Sequence, residues 1–207
     1  TLEGVIMSEK YDFRKIYSQF AIEGEFEDCV RYGEGHINDT FKLTVGGAKV
    51  RHYILQRINN RLFTDVGRLM RNIELVTDFC RRSVNIVRTK EGKSFYFDGE
   101  NYFRVYVFIE DATTYQIVRD PRDFYESAVA FGNFANLLAD FDASQLYEVL
   151  PDFHNTKVRY ANFIKAVEAD VCGRRAEVQK EIDWVVAHKD LCGNIVDKIA
   201  DGRIPLR

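Results

Sequence analysis

Between Arg31 and Val45 the chain runs RYGEGHINDTFKLTV, with two glycines two residues apart set between segments that read as strands. Upstream, FEDCVRYG (26–33) is a strand candidate. Downstream, Thr40, Lys42 and Thr44 alternate with Phe41, Leu43 and Val45, the period-2 mark of a half-buried strand. Gly46-Gly47 then predicts a hairpin turn, and KVRHYILQRIN (49–59) supplies a third strand. Glycine tolerates backbone angles and close approaches that a Cβ forbids, so a strand–turn–strand of this kind is able to lay N–H groups over phosphate oxygens. A dinucleotide or P-loop fingerprint sets its glycines between a strand and a helix, and a strand on both sides excludes those two. By itself, G-x-G in a hairpin also describes an ordinary tight turn.

Outward from this hairpin, EKYDFRKIYSQF (9–20) places Phe13, Ile16, Tyr17 and Phe20 at helical spacing. After the third strand, TDVGRLMRNIELVTDFCRR (64–82) predicts a helix with Thr64 or Asp65 as N-cap and an apolar stripe of Val66, Leu69, Met70, Ile73 and Val76. Three more extended pieces follow at 84–89, 94–99 and 102–110, with KEGK and DGEN as the turns between them. From about residue 112 strands stop, and helices are expected over 121–140, 156–169, 174–188 and 191–201. In the first of these Pro121 stands in the opening turn, and Phe124, Ala128, Phe131, Ala135 and Leu138 share a face that reads as core packing. The order predicts an α+β fold: a mainly antiparallel sheet lobe over residues 1–110, including the helix near 64–80, joined to a helical lobe over 111–207.

Composition narrows the function. At 46% hydrophobic and 29% charged residues the chain reads as globular, and a formal net charge of −3 gives no reason to expect nucleic acid, which would need a basic surface. No apolar run approaches the roughly 18 residues of a membrane span. The opening TLEGVIMSEK lacks the features of a secretory signal, and it begins on Thr1, as expected of a trimmed product. Cys29, Cys80, Cys172 and Cys192 are scattered without a C-x-x-C pair, which favours reduced thiols and a cytoplasmic location. His36, His52, His154 and His188 show no metal-ligand spacing.

Kinase-type lobes use a Gly-rich hairpin over the phosphates, a cation on the third strand to hold them and an acid on the next helix to orient that cation. On the third strand Arg57 shares a face with Tyr53 and Leu55, opposite Ile54 and Ile58. A charge inside an apolar strand needs a partner, and Glu74 on the following helix is the candidate. Each also reads alone as an edge-strand charge and a solvated helix residue. The last strand would run out through Phe108, Ile109, Glu110 and Asp111 into the segment between the lobes.

Together, YGEGHINDTFKL (32–43), YILQRINNRLF (53–63) followed by LMRNIELVT (69–77), FRVYVFIEDATTYQ (103–116), AFGNFANLLADFD (130–142) and LPDFHNT (150–156) resemble the N-acetylhexosamine 1-kinases. These belong to the aminoglycoside phosphotransferase-like branch of the protein kinase-like fold. The resemblance covers nearly the whole chain in collinear order. It implies ATP- and Mg²⁺-dependent phosphorylation of the anomeric hydroxyl of N-acetylglucosamine or N-acetylgalactosamine. Gly33, Gly35, His36, Asn38, Asp39 and Thr40 would belong to the nucleotide loop. Arg57 would stand where many relatives carry Lys, Glu74 would be the helix acid, and Phe108, Ile109 and Glu110 would form the hinge beside the adenine. Asp152 and His154 are candidates for sugar contact, or for a cap before helix 156–169. In the family an H-x-D-x-x-x-x-N catalytic loop follows soon after a segment like DGRIPLR (201–207), where this chain stops. The catalytic Asp and the Mg²⁺ ligands are therefore expected outside these residues, and the 207 residues alone are expected to be inactive and prone to self-association.

Overall fold

The computed structural model describes residues 11–33, 35–80, 85–115 and 117–205. Asp12 accepts a hydrogen bond from the Lys15 N–H at 2.9 Å and so caps helix α1 (Phe13–Tyr17). This is a shorter element than the helix expected over 9–20, whose first two residues lie outside the described ones. Three strands follow as an antiparallel meander: β1 (Glu25–Arg31), β2 (Asp39–Gly46) and β3 (Arg51–Ile58). Strand β6 (Tyr102–Val107) pairs with β3, and the short β4 (Ile86–Val87) and β5 (Tyr96–Phe97) pair with β6, giving the order β1-β2-β3-β6-β4 with β5 beside β6.

Strand alternation divides this sheet into two chemically different faces. Odd-numbered residues Phe41, Leu43, Val45, Tyr53, Leu55, Phe103 and Val105 are buried in one core with Tyr11, Phe13, Ile16 and Phe20. Phe20, Phe41 and Phe103 are each at most 1% exposed, and burial of a side chain of that size contributes about 2 kcal/mol or more. On the even-numbered face the apolar packing sits at one end, where Ile58 packs with Val66 and Met70 of helix α2 (Val66–Cys80), with Leu69, Ile73 and Tyr102 around them, while Ile54 stands among polar side chains farther along. Asp65 starts α2 by accepting from the Arg68 N–H at 2.9 Å. The sheet thus has α1 on its odd face and α2 on its even face.

Helix α3 (Pro121–Leu137) is capped by Asp120, which accepts from the Arg122 N–H at 2.8 Å. None of its residues is buried: Phe124 is 68% and Phe131 74% exposed. This corrects the expectation of core packing: within its own compact unit that face is open. The chain then returns to α2, where Phe141 meets Phe79 edge-on and Asn72 clasps the Tyr147 backbone. That return explains why the first compact unit extends from Thr1 to Val149, past the last strand, with Leu150–Arg207 forming a second unit. The second unit holds α4 (Thr156–Ala169), α5 (Gln179–Ala187) and α6 (Asn194–Ala200), with 3-10 turns at Arg175–Val178 and Lys189–Gly193. Lys157 pairs with Asp197, and the Thr156 hydroxyl donates to the Cys192 carbonyl. None of the four cysteines forms a disulfide. Among the described residues no helix is long and apolar enough to cross a membrane.

Candidate functional site

The β1–β2 loop is held by its base. Asp39, the first residue of β2, accepts from Arg57 Nε at 2.6 Å, Arg31 Nη1 at 3.2 Å and the Tyr11 hydroxyl at 3.2 Å. Arg31 also reaches up to donate to the Gly35 carbonyl at 3.2 Å. Asn38 Oδ1 accepts from the Asn59 N–H at 2.9 Å, and the Tyr32 N–H donates to the Thr40 carbonyl at 2.9 Å. Gly33 has φ +74°, a left-handed conformation that glycine adopts without a Cβ penalty. Gly33, Gly35 and His36 are exposed at the tip, and Glu34 lies outside the described residues. Burial works to raise the Asp39 carboxyl pKa, but the hydrogen bond and charge of Arg57, with Tyr11 and Arg31, outweigh it and hold the group below its ordinary value. Burial pushes the Tyr11 phenol up to about 12.

The even face of the sheet, between this loop and α2, is lined by polar side chains. Thr40, Gln56 and Arg104 stand opposite one another on β2, β3 and β6. Gln56 Nε2 donates to Thr40 Oγ1 at 3.0 Å, while Gln56 Oε1 accepts from Arg104 Nε at 3.0 Å and Nη2 at 2.9 Å. Burial pushes the Arg104 pKa down, with Tyr106 opposing it, and the guanidinium lies 5.0 Å from the Tyr106 ring. At the other end of the face Phe108 is surrounded by Tyr32, His52 and Lys42, the Lys42 ammonium 4.6 Å from its ring centre. The Phe108 N–H still donates to the His52 carbonyl at 3.1 Å, and His52 Nδ1 lies 2.7 Å from Glu110 Oε1. Beyond it Asp111 turns the chain at φ +57°. The strand therefore ends where the hinge was expected, with Glu110 tied to β3.

Two expected roles change. Arg57 points to the odd face with Tyr53 and Leu55, away from α2, and its partner is Asp39. Glu74 is not its partner: it pairs with Arg88, and Arg71 lies 4.0 Å away. The physical reason is parity, since a third-strand residue meets α2 only from the even face, where Ile58 packs on the helix and the polar residue is Gln56. In the second unit Asn155, not Asp152 or His154, caps α4 by accepting from the Val158 N–H at 3.3 Å. Asp152, at φ +57°, accepts from Asn155 Nδ2 at 2.9 Å, and the His154 ring packs edge-on against Phe153. Sequence reasoning passed over Lys42, His52, Gln56 and Arg104. Their signal is the even-numbered polar series that interrupts three otherwise apolar strands. Among the described residues no group of three or more His, Cys, Asp or Glu is arranged to hold a metal ion.

No family model matches the chain. Among solved structures it is similar to the spectinomycin phosphotransferase APH(9)-Ia, crystallised with ADP and spectinomycin. The TM-score is 0.51 at 11% identity, and the match covers 87% of this chain and 54% of that one. The likeness establishes the fold, an antiparallel sheet lobe followed by helices as in the protein kinase-like aminoglycoside phosphotransferases. The chain spans about half the length of the solved structure it matches.

Proposed function

We propose that the chain carries the nucleotide-binding lobe of an ATP-dependent phosphotransferase with a small hydroxyl-bearing acceptor. The observation that carries this reading is the even face of a kinase-like sheet, lined by Thr40, Lys42, His52, Gln56 and Arg104 where packing alone would favour apolar residues. Gly35 supports it: a Cβ there would meet no atom within 4 Å, so the chain's own packing does not require a glycine, whereas a ligand lying against the loop would. The solved structure that the fold matches holds ADP.

In this reading the backbone of Gly33, Gly35 and His36 covers the phosphates, and Asn38, Asp39 and Thr40 fix the loop to the sheet. Lys42 and Arg104 supply positive charge on the even face, and the backbone of Phe108, Ile109 and Glu110 borders the base. ATP would supply the transferred phosphoryl group and Mg²⁺ would neutralise charge on it. The work left to the protein is positioning and charge stabilisation. The acceptor we propose is the anomeric hydroxyl of an N-acetylhexosamine, on the sequence resemblance. Asp152 and His154 remain candidates for sugar contact, with no metal ligand assigned.

Calorimetric titration of the 207-residue chain with ADP tests the nucleotide reading. Saturable binding is expected, and the Gly35→Ala variant is expected to bind more weakly at an unchanged melting temperature. Absence of saturable binding to the folded wild-type chain overturns it. Phosphorus NMR on the full gene product with Mg-ATP and an acceptor panel tests the acceptor. An anomeric phosphate on N-acetylglucosamine or N-acetylgalactosamine is expected, and phosphorylation of an aminoglycoside with none on hexosamines overturns the sugar assignment.

A further inference from the structure

Gln56 is the polar third-strand residue next to Ile58 on the face that α2 covers, and it is neutral. The charge in its row belongs to the neighbouring strand. Arg104 donates from Nε and Nη2 to one oxygen, Gln56 Oε1, while its Nη1 approaches the Met70 sulfur at 3.8 Å. Among the described residues no carboxylate stands within ion-pair distance of this guanidinium, and the ring of Tyr106 is its other neighbour. A guanidinium keeps its charge in proteins, and a half-buried charge without a counter-charge weakens the folded state. The geometry is therefore that of a cation held in place by an amide and short of an anion. The row begins at Thr40, next to the residue that anchors the loop, so the loop and Arg104 border the same strip of sheet.

We infer that Arg104, from β6, binds the phosphates of the nucleotide in place of a third-strand cation, and that Gln56 is its positioning residue. This assignment rests on the nucleotide reading proposed above. Three properties support it. The guanidinium fork offers paired donors that match phosphate oxygens. Gln56 bridges Thr40 and Arg104, so its amide orientation is fixed from both sides, with the oxygen toward the guanidinium. Finally, Arg57 and Arg31, the other arginines near the loop, already share Asp39 as counter-charge on the opposite face.

The test compares ADP with adenosine, which lacks phosphate, on the wild-type chain and on two variants. Arg104→Gln is expected to weaken ADP binding about tenfold or more while leaving adenosine unchanged, the size of a lost charge-assisted pair. Gln56→Glu places a carboxylate where Oε1 now accepts. It is expected to raise the melting temperature by giving Arg104 a counter-charge, and to weaken ADP binding by the same act. Because that variant is expected to be more stable than wild type, it decides the matter even where Arg104→Gln does not fold. If wild type binds ADP and Gln56→Glu binds it equally well, the Arg104 assignment is overturned and the nucleotide reading stands. If folded wild type binds neither ligand, both fall.

Discussion

Asp39 gathers the hydroxyl of Tyr11 and the guanidinium groups of Arg31 and Arg57 onto one carboxylate, and Arg31 passes the restraint on to the Gly35 carbonyl. Its role is thus to hold the loop from below. Because its folded-state pKa is depressed, the stability it contributes is present above the unfolded carboxyl value, about 3.9, and is lost as pH falls through the lower folded value. Asp39→Asn leaves Arg57, whose side chain is 19% exposed, without its counter-charge, and is expected to cost about 1–3 kcal/mol in chemical denaturation at neutral pH. The same variant is expected to show a shallower loss of stability below about pH 4 than wild type. Parallel acid limbs in the two proteins would show that the carboxylate is not coupled to folding.

Helix α2 closes the even face with Val66 and Met70 and, on another side, holds the returning chain. Asn72 Nδ2 donates to the Tyr147 carbonyl at 2.7 Å, and Asn72 Oδ1 accepts from the Tyr147 N–H at 2.9 Å, so one amide substitutes for a strand partner. Asn72→Ala is expected to cost about 1–2 kcal/mol and, more tellingly, to speed hydrogen exchange at the Tyr147 amide relative to the sheet amides. Unchanged exchange at Tyr147 would mean that the Phe79–Phe141 contact holds this segment unaided. This clasp joins positions 75 residues apart and has no local signature, whereas the strands and α2 are legible from periods of 2 and 3.6. Alternation correctly groups Arg57 with Tyr53 and Leu55. It does not say which face α2 covers, because Ile54 and Ile58 make the other face of β3 apolar as well. One residue of parity separates the expected Arg57–Glu74 pair from the observed Gln56–Arg104 row.

At the scale of the whole molecule, the buried residues concentrate in the sheet lobe, while α3 carries large apolar side chains that the described chain leaves open. Phe124, Tyr125 and Phe131 are 68%, 66% and 74% exposed, and Phe134 and Leu137 add to the same helix. Contiguous apolar surface of this kind drives association in water, and a net charge of −3 on 207 residues opposes it only weakly. The chain by itself is therefore expected to self-associate, with sedimentation velocity shifting to larger species as concentration rises. Replacing Phe124 and Phe131 together by Ser is expected to suppress that shift. Neither side chain is buried in the chain, so the double variant is also expected to unfold within about 1 kcal/mol of wild type. The two readouts separate the causes. A wild type that stays monomeric across the concentration range shows that this face needs no cover. A double variant that loses several kcal/mol shows instead that α3 packs within the monomer, and the exposure of its aromatic face would then have to be abandoned along with the association it explains.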